Sequence, residues 1–118
     1  MINISLQGKL LIDSLYFIRL GKDGKRKVLV HLVLSENKAE RTHSIIPVYI
    51  TSDTIQDFIF QNLGLDGTFV EIKGELKVRP TFVKNSIESA ESFIELGSKN
   101  HHIKLIEEKA LKKSRLSA

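Results

Sequence analysis

No cysteine and no tryptophan occur among the 118 residues, and proline occurs only twice. Without cysteine there is neither a disulfide framework nor a thiolate metal site, and nothing points to an oxidising compartment. No apolar run approaches the roughly 20 residues that a helix needs to cross a bilayer. The opening residues, MINISLQGK, lack a basic start followed by an apolar block and do not read as a secretory signal. A cytoplasmic protein is the expectation. Signatures of the common catalytic classes are absent too: there is no HExxH, no P-loop, no GxSxG and no cysteine nucleophile. His101 and His102 are adjacent, so on a helix or strand they cannot face one ligand. Neither an enzyme nor a cofactor nor a metal site is expected.

The body also lacks net charge. Residues 1–96 hold 12 Lys and Arg against 12 Asp and Glu, whereas residues 97–118 hold 6 against 2, so the whole excess of +4 lies in the last segment. A neutral body still binds a polyanion where its basic groups cluster, and one cluster stands at Lys22, Lys25, Arg26 and Lys27. The plainer reading of that cluster is a solvated hairpin tip. With 42% apolar and 27% charged residues in this length, the chain suits one globular domain with a single core.

What is present is mostly alternation. In Asp66 to Leu76, DGTFVEIKGEL, a glycine turn launches a strand with Val70, Ile72 and Leu76 on one face and Glu71, Lys73 and Glu75 on the other. Val78 extends the apolar face. Gly74 falls in the apolar register, where a missing side chain lets the strand kink or another backbone approach. Ile2 to Ile12 repeats the device with Gly8. Two bent strands suggest a closed barrel. A second strand reads from Lys27 to Leu34 and a third from Ser44 to Ile50, whose Pro47 marks an edge or bulge. Ile55, Phe58, Ile59 and Leu63 recur at helical spacing, with Thr51, Ser52 and Asp53 as N-cap candidates and Gly64 as a stop. Residues 79–84 (RPTFVK) read as a turn, and Ser86 to Leu96 as the fifth strand. The folded body is expected to span 1–96. Residues 97–118 are expected to form a basic tail, flexible or helical around Ile103, Ile106 and Ala110.

Three strands, a helix and two strands is the layout of the OB-fold, a five-stranded Greek-key barrel, all-β with one short helix between strands 3 and 4. On this frame the chain resembles single-stranded DNA-binding proteins of the bacterial and phage type. Asn3 to Leu10 (NISLQGKL) is similar to that family's first strand, Val30 to Val33 (VHLV) to its second-strand apolar pair, and Asp66 to Leu76 to its Lys-Gly turn, strand and Gly-x-Leu, with Asp66 in place of the lysine. The resemblance covers residues 2–96. It implies sequence-independent binding and protection of single-stranded DNA in replication or recombination, by aromatic stacking with phosphate contacts, in a bacterial cell or a phage-infected host. It also implies a homo-oligomer, tetramer or dimer.

Two departures bear on that reading. The family stacks bases on tryptophans, and here Tyr and Phe must serve. The resemblance makes Tyr49 the first candidate, because that region of the third strand carries a family stacking residue, and its neighbours Ile46, Val48 and Ile50 read as the opposite face; a rim tyrosine is the alternative. Tyr16 is favoured over Phe17 as the exposed member of that pair. Phe82, between strands 4 and 5, stands where the family has an aromatic that clamps DNA, or else plugs the barrel end. Phe58 and Phe93 are expected in the core, with Phe60 and Phe69 outside it. Phosphate contacts are expected from Lys22, Lys25, Arg26, Lys27, Lys77, Arg79 and Lys84, with Lys9 and Lys73 as further candidates. Leu29, His31 and Val33 leave apolar surface on strand 2 and are expected at an oligomer interface. The second departure is the C-terminus, LKKSRLSA, which lacks the family's acidic tip, so recruitment of replication partners through such a tip is not expected. Two alternatives stand beside this reading: an OB-fold protein-interaction module with weak or no DNA binding, favoured by the neutral body, and an RNA-binding OB domain.

Overall fold

The structure, a computed structural model, describes residues 2–19, 26–37, 39 and 42–106, apart from the side chains of 13–19, 35–37 and 42–43. The alternating segments form β1 (Ile2–Arg19), β2 (Arg26–Asn37), β3 (Thr42–Ile50), β4 (Phe69–Val83) and β5 (Ser86–Leu96), with helix α1 (Asp53–Gln61) between β3 and β4. Strand order is β1-β2-β3-β5-β4, and β4 returns to β1. Five strands therefore close a ring, the OB-fold expected from the pattern. The β3–β5 contact is parallel and the rest are antiparallel.

Closure depends on bends at two glycines. The first half of β1 pairs with β4, the second half with β2, and Lys9 is the residue common to both ladders. A Cβ on the preceding Gly8 would lie 2.4 Å from the Val33 carbonyl oxygen, so only glycine lets β1 cross there. At Gly74, where β4 turns from β1 toward β5, a Cβ would stand 2.6 Å from the Ile94 and Leu96 side chains. Inside the ring, Leu10, Val30, Leu32, Val48, Ile72 and Ile94 are buried to 1% or less. Each such side chain contributes about 1.5–3 kcal/mol relative to exposure. Asp66, the departure from the family's lysine, accepts the Ile12 N–H at 2.6 Å and ties the β1 ladder to the turn before β4.

Helix α1 closes the barrel's end. Ser52 is its N-cap, its hydroxyl accepting the Ile55 N–H at 3.4 Å. The buried stripe differs from the expected one: Ile55, Gln56 and Ile59 face the barrel, Phe60 packs at the margin of the core, and Phe58 and Leu63 are exposed. Gln56 takes the inward position in place of Phe58, and its amide finds partners there. It donates to the main-chain carbonyls of Arg26 and Ile50, both at 2.8 Å, and accepts from Arg26 Nε at 3.2 Å. Helix α1 ends at Gln61 and a 3-10 turn (Leu63–Leu65) follows, so Leu63 lies beyond the helix.

Two segments differ from the sequence reading. The turn expected over 79–84 is confined to its end: β4 continues to Val83, and the chain reverses at Lys84 and Asn85, whose φ angles of 49° and 67° make a two-residue hairpin turn. The β-forming Thr81, Phe82 and Val83 sustain the strand, and Pro80 is tolerated on a hairpin whose outer edges have no ladder partner among the described residues. An exposed two-stranded arm, residues 78–92, thus stands out from the barrel, and Val78 lies on it instead of in the core. Beyond Leu96, residues 97–101 make an excursion and β6 (His102–Leu105) pairs with β4, Ile103 opposite Ile72. Burial of Ile103 at 7% exposure holds this segment as a strand where a helix or frayed tail was expected. Ala110 and the rest of 107–118 lie outside the described residues.

Candidate functional site

Parity along the strands decides which side chains face outward. Val28 and Val30 on β2, Val48 and Ile50 on β3, and Ile94 and Leu96 on β5 point into the barrel. Lys27, Leu29, Tyr49, Phe93 and Glu95 therefore share the outer face. Register brings them together: Leu29 opposes Tyr49, Tyr49 opposes Glu95, and Phe93 opposes Lys77 on β4. Adjacent strands are about 4.8 Å apart, so these side chains form one continuous surface.

An aromatic pair forms its centre. The Tyr49 and Phe93 rings meet edge to face, centroids 5.2 Å apart and planes at 81°. The Arg79 guanidinium lies 5.9 Å from the Tyr49 centroid and 5.1 Å from that of Phe93. Such an arrangement offers π-faces beside a fixed positive charge, which is the chemistry that holds unpaired bases and their phosphates. Phe93 was expected in the core; it is 7% exposed, but the groups covering it include Tyr49 and Arg79 on the outer face. Its phase was readable, since Phe93 alternates with the inward Ile94.

The expected cations divide. Lys77 Nζ donates to Glu95 Oε1 at 3.1 Å and lies 3.6 Å from Glu75 Oε2. The Glu95 hydrogen bond, outweighing desolvation, raises the Lys77 ammonium above its ordinary pKa. Arg26 faces the helix end of the barrel: its guanidinium binds Gln56 and stacks 5.3 Å from the Phe60 centroid. Lys27 stays on the outer face beside Leu29. Lys84 stands at the arm's tip and Phe82, 61% exposed, one turn residue away from it on β4. Lys22 and Lys25 lie outside the described residues, as does the Tyr16 side chain. The Tyr16 backbone is in register with Leu29, which places it on the same row as Tyr49.

The residues expected at an oligomer interface share this surface. Val33 is already packed within the chain at 7% exposure, while Leu29 and His31 remain partly exposed. Leu29, opposite Tyr49, belongs to the floor of the aromatic site. Among the described residues, no group of three or more His, Asp or Glu converges as a metal site, and no helix is long and apolar enough to cross a membrane.

No protein-family profile matches the sequence, and no curated protein matches it. Among solved structures, the chain is similar to that of the Plasmodium falciparum SSB in complex with single-stranded DNA. The two share 16% identity with a TM-score of 0.65, over 89% of this chain and 94% of the other. At that identity the likeness is one of fold: the ring of strands described above is an OB-fold.

Proposed function

We propose that this OB-fold protein binds single-stranded DNA independently of sequence and protects it during replication or recombination. The observation that carries the reading is the Tyr49–Phe93 pair under Arg79 on the outer face of β3, β4 and β5. Bases stack on Tyr49, with Tyr16 and Phe82 extending the track to either side. Arg79, Lys27 and Lys84 hold phosphates, together with Lys22 and Lys25. Lys77 contributes less, because two carboxylates already neutralise it. Stacking supplies about 1–3 kcal/mol per base, and each phosphate neutralised adds about 0.7 to the log–log salt slope. The protein works without chemistry on the strand and as a homo-oligomer in which His31 meets a second copy, Leu29 being taken up by the aromatic site.

Fluorescence anisotropy of a labelled oligothymidine, with duplex as control and at two salt concentrations, tests this. Salt-sensitive binding of the single strand alone is expected, weakened about tenfold by Tyr49→Ala. Absence of binding at low salt sinks the reading. One observation favours the protein-interaction alternative: Val78, Phe82 and Ile87 leave exposed apolar groups on the arm. Unaltered DNA affinity after Phe82→Ser would assign that surface to a protein.

A further inference from the structure

Beside the aromatic pair the outer face opens into a groove of about 480 Å³, within the size range of small-molecule sites. Its floor is β4 with Lys73 and Glu75; Glu95 on β5 and Asn3 on β1 form its sides. The 97–101 excursion supplies its far wall through Asn100 and His101. That wall is fixed by the histidine. His101 Nδ1 accepts the N–H groups of Gly97 and Ser98, both at 3.1 Å, so the ring proton must sit on Nε2, which donates to Asn3 Oδ1 at 3.3 Å. One ring thereby ties the loop to itself and to β1.

The groove's polar groups have a definite pattern. Lys77 engages Glu95 Oε1 and Glu75 Oε2, one oxygen of each carboxylate, and both carboxylates line the groove with acceptor capacity to spare. Lys73 supplies an ammonium donor and Asn100 an amide. With Lys77 and Lys73 set against Glu75 and Glu95 the local charge cancels. A phosphate gains little in such a groove, because both carboxylates repel it. A neutral ring with adjacent N–H donors and a neighbouring carbonyl fits. Guanine is the nucleobase of that description: N1–H and the 2-amino group form a two-pronged donor edge that one carboxylate accepts in parallel, while O6 accepts from a cation or amide. Thymine has only one N–H and turns carbonyls toward the carboxylates on both sides of it.

Resting on the single-strand reading, we infer that the groove beside Tyr49 is a guanine subsite, with Glu75 or Glu95 accepting the N1–H and 2-amino edge and Lys73 or Asn100 donating to O6. Glu95 is the direct cross-strand partner of Tyr49, so a strand stacked on the tyrosine delivers its neighbouring base to the groove. The subsite adds a base preference to a surface that otherwise accepts any base.

The test compares labelled oligothymidine with the same strand carrying one central deoxyguanosine or one deoxyinosine, which lacks the 2-amino group. The guanine strand is expected to bind about tenfold tighter than oligothymidine, and inosine to lose most of that gain. In Glu75→Gln with Glu95→Gln the guanine-to-thymine ratio is expected to fall to about one, the ratio within each protein cancelling any general change in affinity. Equal affinity of all three strands for the unmodified protein overturns the subsite and leaves the single-strand reading intact. If no strand binds at all, that reading fails, and the groove is judged with guanosine alone by NMR. Shifts of the Gly97, Ser98 and His101 amides with guanosine and not thymidine then support the subsite, and their absence overturns it.

Discussion

Replacing Gln56 by methionine should unfasten helix α1 from the barrel without changing the volume it fills. The side chain is 1% exposed and makes three hydrogen bonds, two donated to main-chain carbonyls and one accepted from a guanidinium. A neutral hydrogen bond contributes about 1 kcal/mol net, and one to a charged group about 1.5–3. Arg26 is exposed enough for water to recover part of the latter. Methionine's extra apolar burial offsets roughly 1 kcal/mol. The predicted loss for Gln56→Met is therefore about 2–3 kcal/mol, a large share of the 5–15 that domains of this kind possess. In urea, with a slope of about 1–3 kcal/mol per molar, the midpoint should fall by about 1–2 M at unchanged slope. Gln56→Glu separates donors from acceptor, since it retains an oxygen for Arg26 but sets another against the two carbonyls; it should be at least as destabilised at neutral pH. A Gln56→Met midpoint equal to that of the parent protein would refute the argument, showing that the site rewards shape alone.

Three further predictions concern the scaffold. Gly8→Ala should destabilise more than Gly74→Ala, each by at least about 1–3 kcal/mol, because the Gly8 methyl would lie 2.4 Å from the Val33 carbonyl oxygen whereas the Gly74 methyl would lie 2.6 Å from the Ile94 and Leu96 side chains and 3.0 Å from the nearest backbone atom, the Glu95 carbonyl oxygen; equal denaturation midpoints for the two would contradict this. Lys77, its pKa raised in the folded state above the ordinary lysine value, contributes stability that is fully present below that value and is lost as pH rises through the folded pKa. Lys77→Met should flatten the decline of melting temperature above about pH 10, and an unchanged alkaline profile would count against the Glu95 contact. Lys84→Asn combined with Asn85→Gly places residues suited to positive φ at the arm's turn and should raise stability by about 1 kcal/mol; a lower melting temperature would show that the turn is of another type.

The ring itself was legible because its two controlling signals are local: alternation over eight or more residues, and a glycine in the apolar phase at 8 and at 74. What the sequence hid depends on partners far along the chain. Gln56 ranks as a surface residue by polarity, and only the carbonyls of Arg26 and Ile50 make it an interior one; the inward rotation of α1 and the exposure of Phe58 follow from that. Strand β6 contains a single buried residue, Ile103, too short a pattern to separate from a helix turn. Val78 alternates as though it were core, and nothing local to it marks where the barrel ends and the arm begins. Tyr49 is marked by the family resemblance, and its phase among Ile46, Val48 and Ile50 turns it outward. Phe93 is buried as expected, and the same phase rule places it on the outer face beside Tyr49. Arg26 was read as one of a basic cluster, and its stacking on Phe60 and bond to Gln56 arise from α1, thirty residues downstream.

The bend of β1 at Gly8 also sets an order of events. The seam that closes the ring joins Ile2 to Leu76 and Lys9 to Phe69, residues some 60 to 74 positions apart, whereas β2 and β3 are sequence neighbours. Long loops close late, since their ends must find one another before any contact rewards the search. On a ribosome, β1, β2 and β3 would therefore emerge as an open sheet with its apolar side uncovered until β4 follows. The interval between those two moments is when this chain is most prone to associate wrongly, and a mutation at Gly8, by weakening the closed ring, would lengthen it as well.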